Sequence, residues 1–477
     1  MLPLLITICA LALASIASAK NGTVKKTLTG HIDPSEVFSF VYVPFEVELG
    51  TTSIYVLQNY SAKDTGNALD LGVFDQRGQI LEASRGWSGG FRNNFTITPS
   101  WATPGYNAGP IEPGTWHVAL GPYTSNPAGI DWQLDIEMGF EPVDSYFVVE
   151  SASMNMDPLC NGLCTEDAQW LRGDLHIHTV YSDGRYTPDE QIKIALEQDL
   201  DFIFFSDHNT DSSNNVMGSF QHLALDLLIG RAIEVTTRGG HWQALGLDPG
   251  QLVEWRYQDS KGYIPAAQEV HRRGGLVSIN HPFAECSACN WVIDDWDHND
   301  AIEVWNAQWD VADEQAVAKW QELLVDGKLT AAIGGSDSHS PPALNGVPTT
   351  VVRSRGKSQS AIIEGIRAGR AYLARGPGIE LLFNIRLPSL SKAGIAQLGD
   401  KIKASTDGAV AVLGTKGLAG QKACFITDHG YVHNDTVRHS GTIEQAVPRG
   451  AKFMRIEVRN VTNDAMLGIT NPIWFLQ

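Results

Sequence analysis

Apolar and polar positions alternate in short runs from Lys20 to about residue 150. Val37–Val43, Ser53–Leu57, Leu69–Phe74, Thr115–Leu120 and Trp132–Met138 each read as strands, divided by Gly, Pro, Asn and Asp. Strands at such spacing predict an antiparallel β-sandwich over 20–150. The segment 151–170 reads as a linker. From Leu171 to about Arg375 the period changes repeatedly from two to 3.6, and strand alternates with helix. Thr187, Pro188 and Glu190 form a helix start, with Thr187 as N-cap and Glu190 closing a capping box. The expected strands are Asp201–Phe205, Leu227–Thr236, His241–Gly246, Leu276–Asn280, Ala301–Trp305, Leu329–Gly334 and Thr349–Arg353. Further helices are expected over Ala266–Arg273, Asp313–Val325 and Ser358–Ala368. This order predicts an α/β unit over 171–375 with a parallel sheet and crossovers. The span is short for eight βα units, so a smaller or distorted TIM-like barrel is expected, with its chemistry at the C-terminal strand ends. Residues 376–477 return to strand patterning and read as a small sandwich-like β domain.

The chemistry gathers at those strand ends. His176 and His178 are two apart, so a strand places both imidazoles on one face while Leu175 and Ile177 point into a core. Asp183 follows in a turn. His208 ends the next strand, Glu234 and His241 lie on the two after it, His281 precedes Pro282, and Asp337 and His339 repeat the two-residue spacing. Each of these alone is more often structural. Six imidazoles and three carboxylates at successive strand ends exceed what one divalent ion needs, and imply two or three. A carboxylate such as Glu234 can bridge two cations. Asp174 and Asp207 read either as carboxylates orienting imidazoles or as strand-end caps. Arg185, Arg231, Arg238 and Arg353 could meet a phosphate or simply face solvent. His222, His271, His298, His429, His433 and His439 have no such context.

The chain has 477 residues and a net charge of -19, which argues against binding to nucleic-acid polymers or anionic lipid. Residues 1–19 read as a secretory signal peptide with an Ala17-Ser18-Ala19 cleavage site, or as an uncleaved anchor. The mature chain is expected to be secreted and free of membrane. Beyond Cys9, the cysteines Cys160, Cys164, Cys286 and Cys289 could form two disulfides of open connectivity, or a zinc site; Cys424 is left over. Sequons at Asn21, Asn59, Asn94, Asn434 and Asn460 fit a glycoprotein. Trp87 and Trp101, taken as exposed, could bind carbohydrate or pack.

The pattern H-x-H-x4-D, then Ser206-Asp207-His208-Asn209, Glu234, Asn280-His281-Pro282 and Gly335-Ser336-Asp337-Ser338-His339 resembles the polymerase-and-histidinol-phosphatase (PHP) family. Asp183, the run Glu234-Val235-Thr236-Thr237 leading to Gly240-His241, and Thr470-Asn471-Pro472-Ile473 resemble its carbaryl-hydrolase branch. The resemblance implies a distorted (β/α)7 barrel holding two or three Mn, Fe or Zn ions. It assigns His176, His178, Glu234 and Asp337 to one ion, Glu234, His241 and His281 to a second, and Asp183, His208 and His339 to a third. The implied reaction is hydrolysis of a small-molecule phosphomonoester or phosphodiester by a metal-bridging hydroxide. Glu234, Asp337, Asp183, His208 and His339 are its candidate catalytic residues. A carboxylic ester or carbamate hydrolase, and a secreted binding protein with a relic metal site, are the alternatives. An amidohydrolase-type barrel also opens on H-x-H, but the terminal D-x-H pair and the H-P context fit it less well.

Overall fold

The computed structural model describes residues 22–150, 153, 168–286, 288–388, 394–403, 405–439 and 442–476. The signal segment, Asn21, Cys160, Cys164 and most of the linker lie outside these residues. Among them no helix is long and apolar enough to cross a membrane.

Two four-stranded antiparallel sheets make the N-terminal layer pair. One orders Thr23–Ile32, Ile130–Gly139, Ser53–Tyr60 and Asn94–Ile97; the other orders Val41–Val47, Gly114–Thr124, Ala68–Phe74 and Ser84–Gly89. Every second residue of Ile130–Gly139 is buried, and Val43, Phe45, Ile54, Val56, Trp116, Leu134 and Ile136 share one core. The strand expected at Val37–Val43 starts later, at Val41. Asp33 caps a one-turn 3-10 helix at Pro34–Glu36 through a capping box, and this local bonding holds the preceding segment out of the sheet.

Seven strands curl into the central element: β1 (Gln169–Ile177), β2 (Phe202–Phe205), β3 (Leu228–Thr237), β4 (Gly240–Leu245), β5 (Leu276–Ile279), β6 (Ala301–Asn306) and β7 (Ala331–Gly335). They are hydrogen-bonded in chain order. The ring closes where the chain after β7 meets β1: Asp337 N donates to His176 O at 2.9 Å, and His178 N donates to Ser338 O at 3.1 Å. This sheet differs from an ideal (β/α)7 barrel. Strand β4 runs antiparallel to both β3 and β5, because β3 and β4 are joined by a tight turn too short for a crossover. Among the described residues, three connections within the ring carry an α-helix: α1 (Pro188–Glu197), α2 (Ser260–Arg272) and α3 (Val311–Val325). Helix α1 carries the Thr187–Glu190 capping box. Helix α2 begins six residues before its expected start, since Asp259 caps it and Pro265 sits inside the helix rather than before it.

The last hundred residues do not stand apart from the barrel. Thr349–Ser354 pairs with β1, and Ala371–Ala374, Met466–Thr470, Phe453–Arg459, Lys422–Thr427 and Gly430–Thr436 continue the same sheet. A separate sheet of Ile395–Gln397, Glu380–Arg386, Val410–Lys416 and Ile443–Ala446 packs with it around Phe383, Leu413, Phe425 and Ile456. The N-terminal sandwich is also joined to the barrel by a common core. Phe74, Trp87 and Ala119 of the sandwich cluster with Val235, Trp242 and Trp255. Trp87, expected at the surface, is therefore buried, whereas Trp101 is exposed. Polar ties flank this core: Asn107 Nδ2 donates to Asp211 Oδ1 at 2.7 Å, and Arg256 Nη1 donates to Tyr42 Oη at 2.6 Å.

Candidate metal centre

The ring brings all nine candidate residues to one end. Strand β1 places His176 inward, while Leu175 and Ile177 enter apolar clusters on the other face. Its next inward position, His178, lies just beyond the strand end, and the two imidazole centroids are 5.1 Å apart. After β2, Asn209 takes a positive φ of 52° and clamps Thr236 of β3, accepting from its N–H and donating to its C=O, both at 2.9 Å. That clamp sets His208 beside Glu234. Positive φ recurs at His281 (23°) and Asp337 (49°). Non-glycine residues hold such conformations only where their surroundings enforce them, and functional sites collect them.

Glu234 is the hub, 1% exposed. Its Oε2 lies 3.1 Å from His176 Nε2, 3.2 Å from His178 Nε2 and 3.2 Å from His208 Nδ1. Its Oε1 lies 3.2 Å from His241 Nδ1 and 3.1 Å from His281 Nε2, and accepts from Asn280 Nδ2 at 3.0 Å. One carboxylate thus turns an oxygen to each of two histidine sets. Asp337 Oδ1 completes the first, 3.3 Å from His176 Nε2 and 3.1 Å from His178 Nε2. A third group forms around Asp183 Oδ1, 3.2 Å from His339 Nε2 and 3.5 Å from His208 Nε2.

These spacings suit cation ligands. Nitrogen and oxygen donors about 2.0–2.2 Å from one tetrahedral ion stand roughly 3.3–3.6 Å from each other. Three groups whose donor atoms could hold an ion occur among the described residues: His176, His178, Glu234 and Asp337; His178, Asp183, His208 and His339; and His208, Glu234 and His241. In the last set the geometry adds His208 to Glu234 and His241, while His281 reaches the same Glu234 oxygen as His241. His176 Nε2, His178 Nε2 and Asp337 Oδ1 are buried without an aligned hydrogen-bond partner among the described residues. Native proteins rarely leave such groups unmet.

The charges are strongly coupled. Burial alone would raise the Glu234 carboxyl, but His176, His208 and His241 hold it well below its ordinary range. Asp337 is likewise lowered against its burial by His176 and His178. Burial would depress His178, yet its contacts with Asp337 and Glu234 push it up to about 10. For His208 burial wins, and its imidazole drops to about 3.

Three polar residues around the cluster have no role read from the sequence, although Asn280 stands in the Asn280-His281-Pro282 run. Glu303 Oε1 lies 2.9 Å from His176 Nδ1, and its Oε2 accepts from His281 N and Asn306 Nδ2, each at 3.1 Å. A carboxylate alternating with Ile302 and Val304 in a short apolar strand is the signal that could have found it. Asn280 and Asn306 are the other two. Asp174 and Asp207 act as strand-end braces. Asp174 accepts from the N–H groups of His176, Ser336 and Gly346, and Asp207 accepts from Thr179 and Ser182. Of the four arginines, Arg231 is buried against Leu247 O, Arg353 faces Asp400, Arg185 is exposed after Asp183, and only Arg238 lines a pocket of the site. His271 pairs with Asp300 and His298 with Asp295, away from the cluster.

Among the described residues, two cavities are each lined by several of the candidate ligands. One of about 350 Å³ lies over Glu234, Asp337 and His339, under the loop in which Cys286 and Cys289 stand at disulfide distance. The pairing leaves those two thiols unavailable for the alternative zinc site. The other, of about 310 Å³, lies between Asp183, His208 and His241 and the N-terminal sandwich.

No family model matches the chain. No curated protein matches it either. Among solved structures, a two-domain Bacteroides vulgatus protein containing a predicted PHP-like metal-dependent phosphoesterase aligns at 16% identity and a TM-score of 0.38, over 70% of this chain and all of that one. A presumed metal-dependent phosphoesterase from Bifidobacterium adolescentis aligns at 19% identity and a TM-score of 0.27, over 36% of this chain and 90% of its own. A Chromobacterium violaceum amidohydrolase with bound sulfate and no metal aligns at 16% identity and a TM-score of 0.24, over 35% and 88%. What the site can do follows from its own residues and distances.

Proposed function

We propose that this chain is an exported metal-dependent hydrolase of small phosphate esters, acting at a di- or trinuclear centre of the PHP kind. The observation that carries the reading is Glu234, whose two oxygens face two separate histidine sets. His176, His178, Glu234 and Asp337 would hold one divalent ion, Glu234, His241 and His281 a second, and Asp183, His208 and His339 a third. Mn, Fe or Zn suits this mixed imidazole and carboxylate set. Bound cations supply Lewis acidity and bring the pKa of coordinated water towards neutrality.

The protein's own groups divide the remaining work. Glu303 fixes the His176 ring, and Asn280 fixes the carboxylate of Glu234. His339 directs Nδ1 at the carbonyl of Asp337 at 2.8 Å, so Nε2, facing Asp183, is the atom at which it gains or loses a second proton. Were the third ion absent, His339 would be placed to protonate a leaving group through Nε2. Cavities of about 310 and 350 Å³ admit small molecules and exclude a folded polymer.

A carboxylic ester or carbamate hydrolase is the second reading. The guanidinium in the adjoining pocket, Arg238, is already paired with Asp70 at 2.8 Å, which favours an ester of low charge. The deciding experiment combines metal analysis of purified protein with rates on phosphomonoesters, phosphodiesters and aryl carbamates. Two or three equivalents of metal with phosphoester turnover support the proposal, and turnover of carbamates alone selects the second reading. Bound metal without turnover of any ester supports a binding protein instead. N-terminal sequencing of exported protein tests the leader: Lys20 as first residue supports cleavage, and an intact Met1 refutes it.

A further inference from the structure

The 310 Å³ pocket is built by two parts of the chain that are far apart in sequence. Phe40, Trp87, Phe91 and Tyr123 come from the sandwich, and Arg238 and Trp255 from the barrel. Asp183, His208 and His241 of the cluster line it too. The aromatic wall is continuous: ring centroids are 5.8 Å apart for Phe40 and Trp87, and 5.6 Å for Trp87 and Trp255. The guanidinium that lines the cleft is not free for an anion. Arg238 Nη2 donates to Asp70 Oδ2 at 2.8 Å, and its guanidinium lies 4.5 Å from the Tyr123 ring centre, 5.5 Å from Phe38 and 5.9 Å from Phe40. A Cβ added to Gly121 would stand 3.1 Å from both Arg238 Nη2 and Asp70 Oδ2, so the missing side chain leaves room for the pair. The shared core with the barrel holds the sandwich in this position.

We propose that the N-terminal sandwich is the specificity wall of the hydrolase, and that this cleft binds a compact, flat, uncharged aryl group of the ester. The proposal rests on the hydrolase reading above. The ionic end of the substrate belongs to the histidine and carboxylate cluster, and the aromatic wall receives the organic end. Stacked or edge-on rings reward a planar partner, and a neutralised guanidinium does not reward a second anion. A cleft of this size accepts one aromatic ring with small substituents.

Phe91 gives a clean test, because it lines the cleft yet is 45% exposed, so truncating it leaves the core intact. Metal-loaded wild type and Phe91→Ala, compared by thermal unfolding, would be assayed on phenyl phosphate and methyl phosphate. Calorimetry would give their affinities for phenylphosphonate and methylphosphonate. The expected result is tighter binding of the phenyl compound by wild type. Phe91→Ala should then raise KM for phenyl phosphate, and weaken phenylphosphonate, by about tenfold, with kcat and both methyl probes nearly unchanged. Equal affinity for phenyl and methyl phosphonates overturns the proposal. So does a phenyl affinity untouched by Phe91→Ala. If wild type hydrolyses neither ester but still prefers phenylphosphonate through Phe91, the hydrolase reading falls and the aryl cleft stands.

Discussion

Glu303 grips His176 from behind: Oε1 lies 2.9 Å from Nδ1, while Nε2 on the other side of the ring faces Glu234 and Asp337. A carboxylate beside Nδ1 makes that nitrogen the donor and leaves the lone pair of Nε2 for a cation. Replacing Glu303 with Ala should weaken metal binding by about 10–100-fold without abolishing it, and Gln should do less harm because its carbonyl can still accept. Chelator competition on folded protein measures this, and wild-type affinity in Glu303→Ala would remove the orienting role.

Glu234→Ala should be far more severe. It deletes the oxygen shared by His176, His178 and His208 together with the one shared by His241 and His281. Metal content should fall and turnover should drop by orders of magnitude. His271→Ala, whose imidazole pairs with Asp300, should change neither. Circular dichroism must accompany the comparison, since an unbalanced histidine cluster can also unfold the barrel. Wild-type metal and turnover in Glu234→Ala would end the multinuclear reading.

Proton release should accompany metal uptake. Without a cation, Asp337 and Glu234 hold His178 protonated up to about pH 10, and His176 is raised as well. A ligand imidazole must be neutral, so at pH 7 binding should expel about one proton or more, and affinity should rise with pH over the neutral range. Calorimetry in two buffers of different ionisation enthalpy gives the count. No buffer dependence would mean that His178 does not enter the coordination shell.

Far from the centre, Glu457 is buried between two guanidiniums, 2.8 Å from Arg455 Nη1 and 2.7 Å from Arg459 Nε. Burial would raise its carboxyl, but Arg455 and Arg459 hold it below the ordinary range. Since the folded pKa is the lower one, the contribution is complete above the unfolded value of about 4.3 and fades as pH falls through the lowered folded value. Glu457→Gln should therefore cost about 3 kcal/mol near neutral pH, because Arg455 loses its carboxylate while Arg459 keeps Glu314 at 2.7 Å. The gap between variant and wild type should narrow in strongly acidic solution. Denaturant melts at several pH values test both points.

What could be read from the sequence was whatever short-range periodicity and local bonding specify. A period of two sets His176 against Leu175 and Ile177 whatever the rest of the chain does. Thr187 and Glu190 close their box within one turn, and the strand-end positions of His208, Glu234, His281 and Asp337 follow from apolar runs of a few residues. Partner choice is different, because it depends on residues brought together from distant parts of the chain. Whether Phe453–Arg459 pairs within its own sandwich or prolongs the barrel sheet depends on which edge is offered to it, and alternation is the same in both cases. The antiparallel course of β4, Glu303 behind His176, and the junction of Trp87, Trp255, Arg238 and Asp70 were decided at that level. The sequence places Trp87 at the surface; only the tertiary structure shows it buried, in a wall of the pocket beside the histidines.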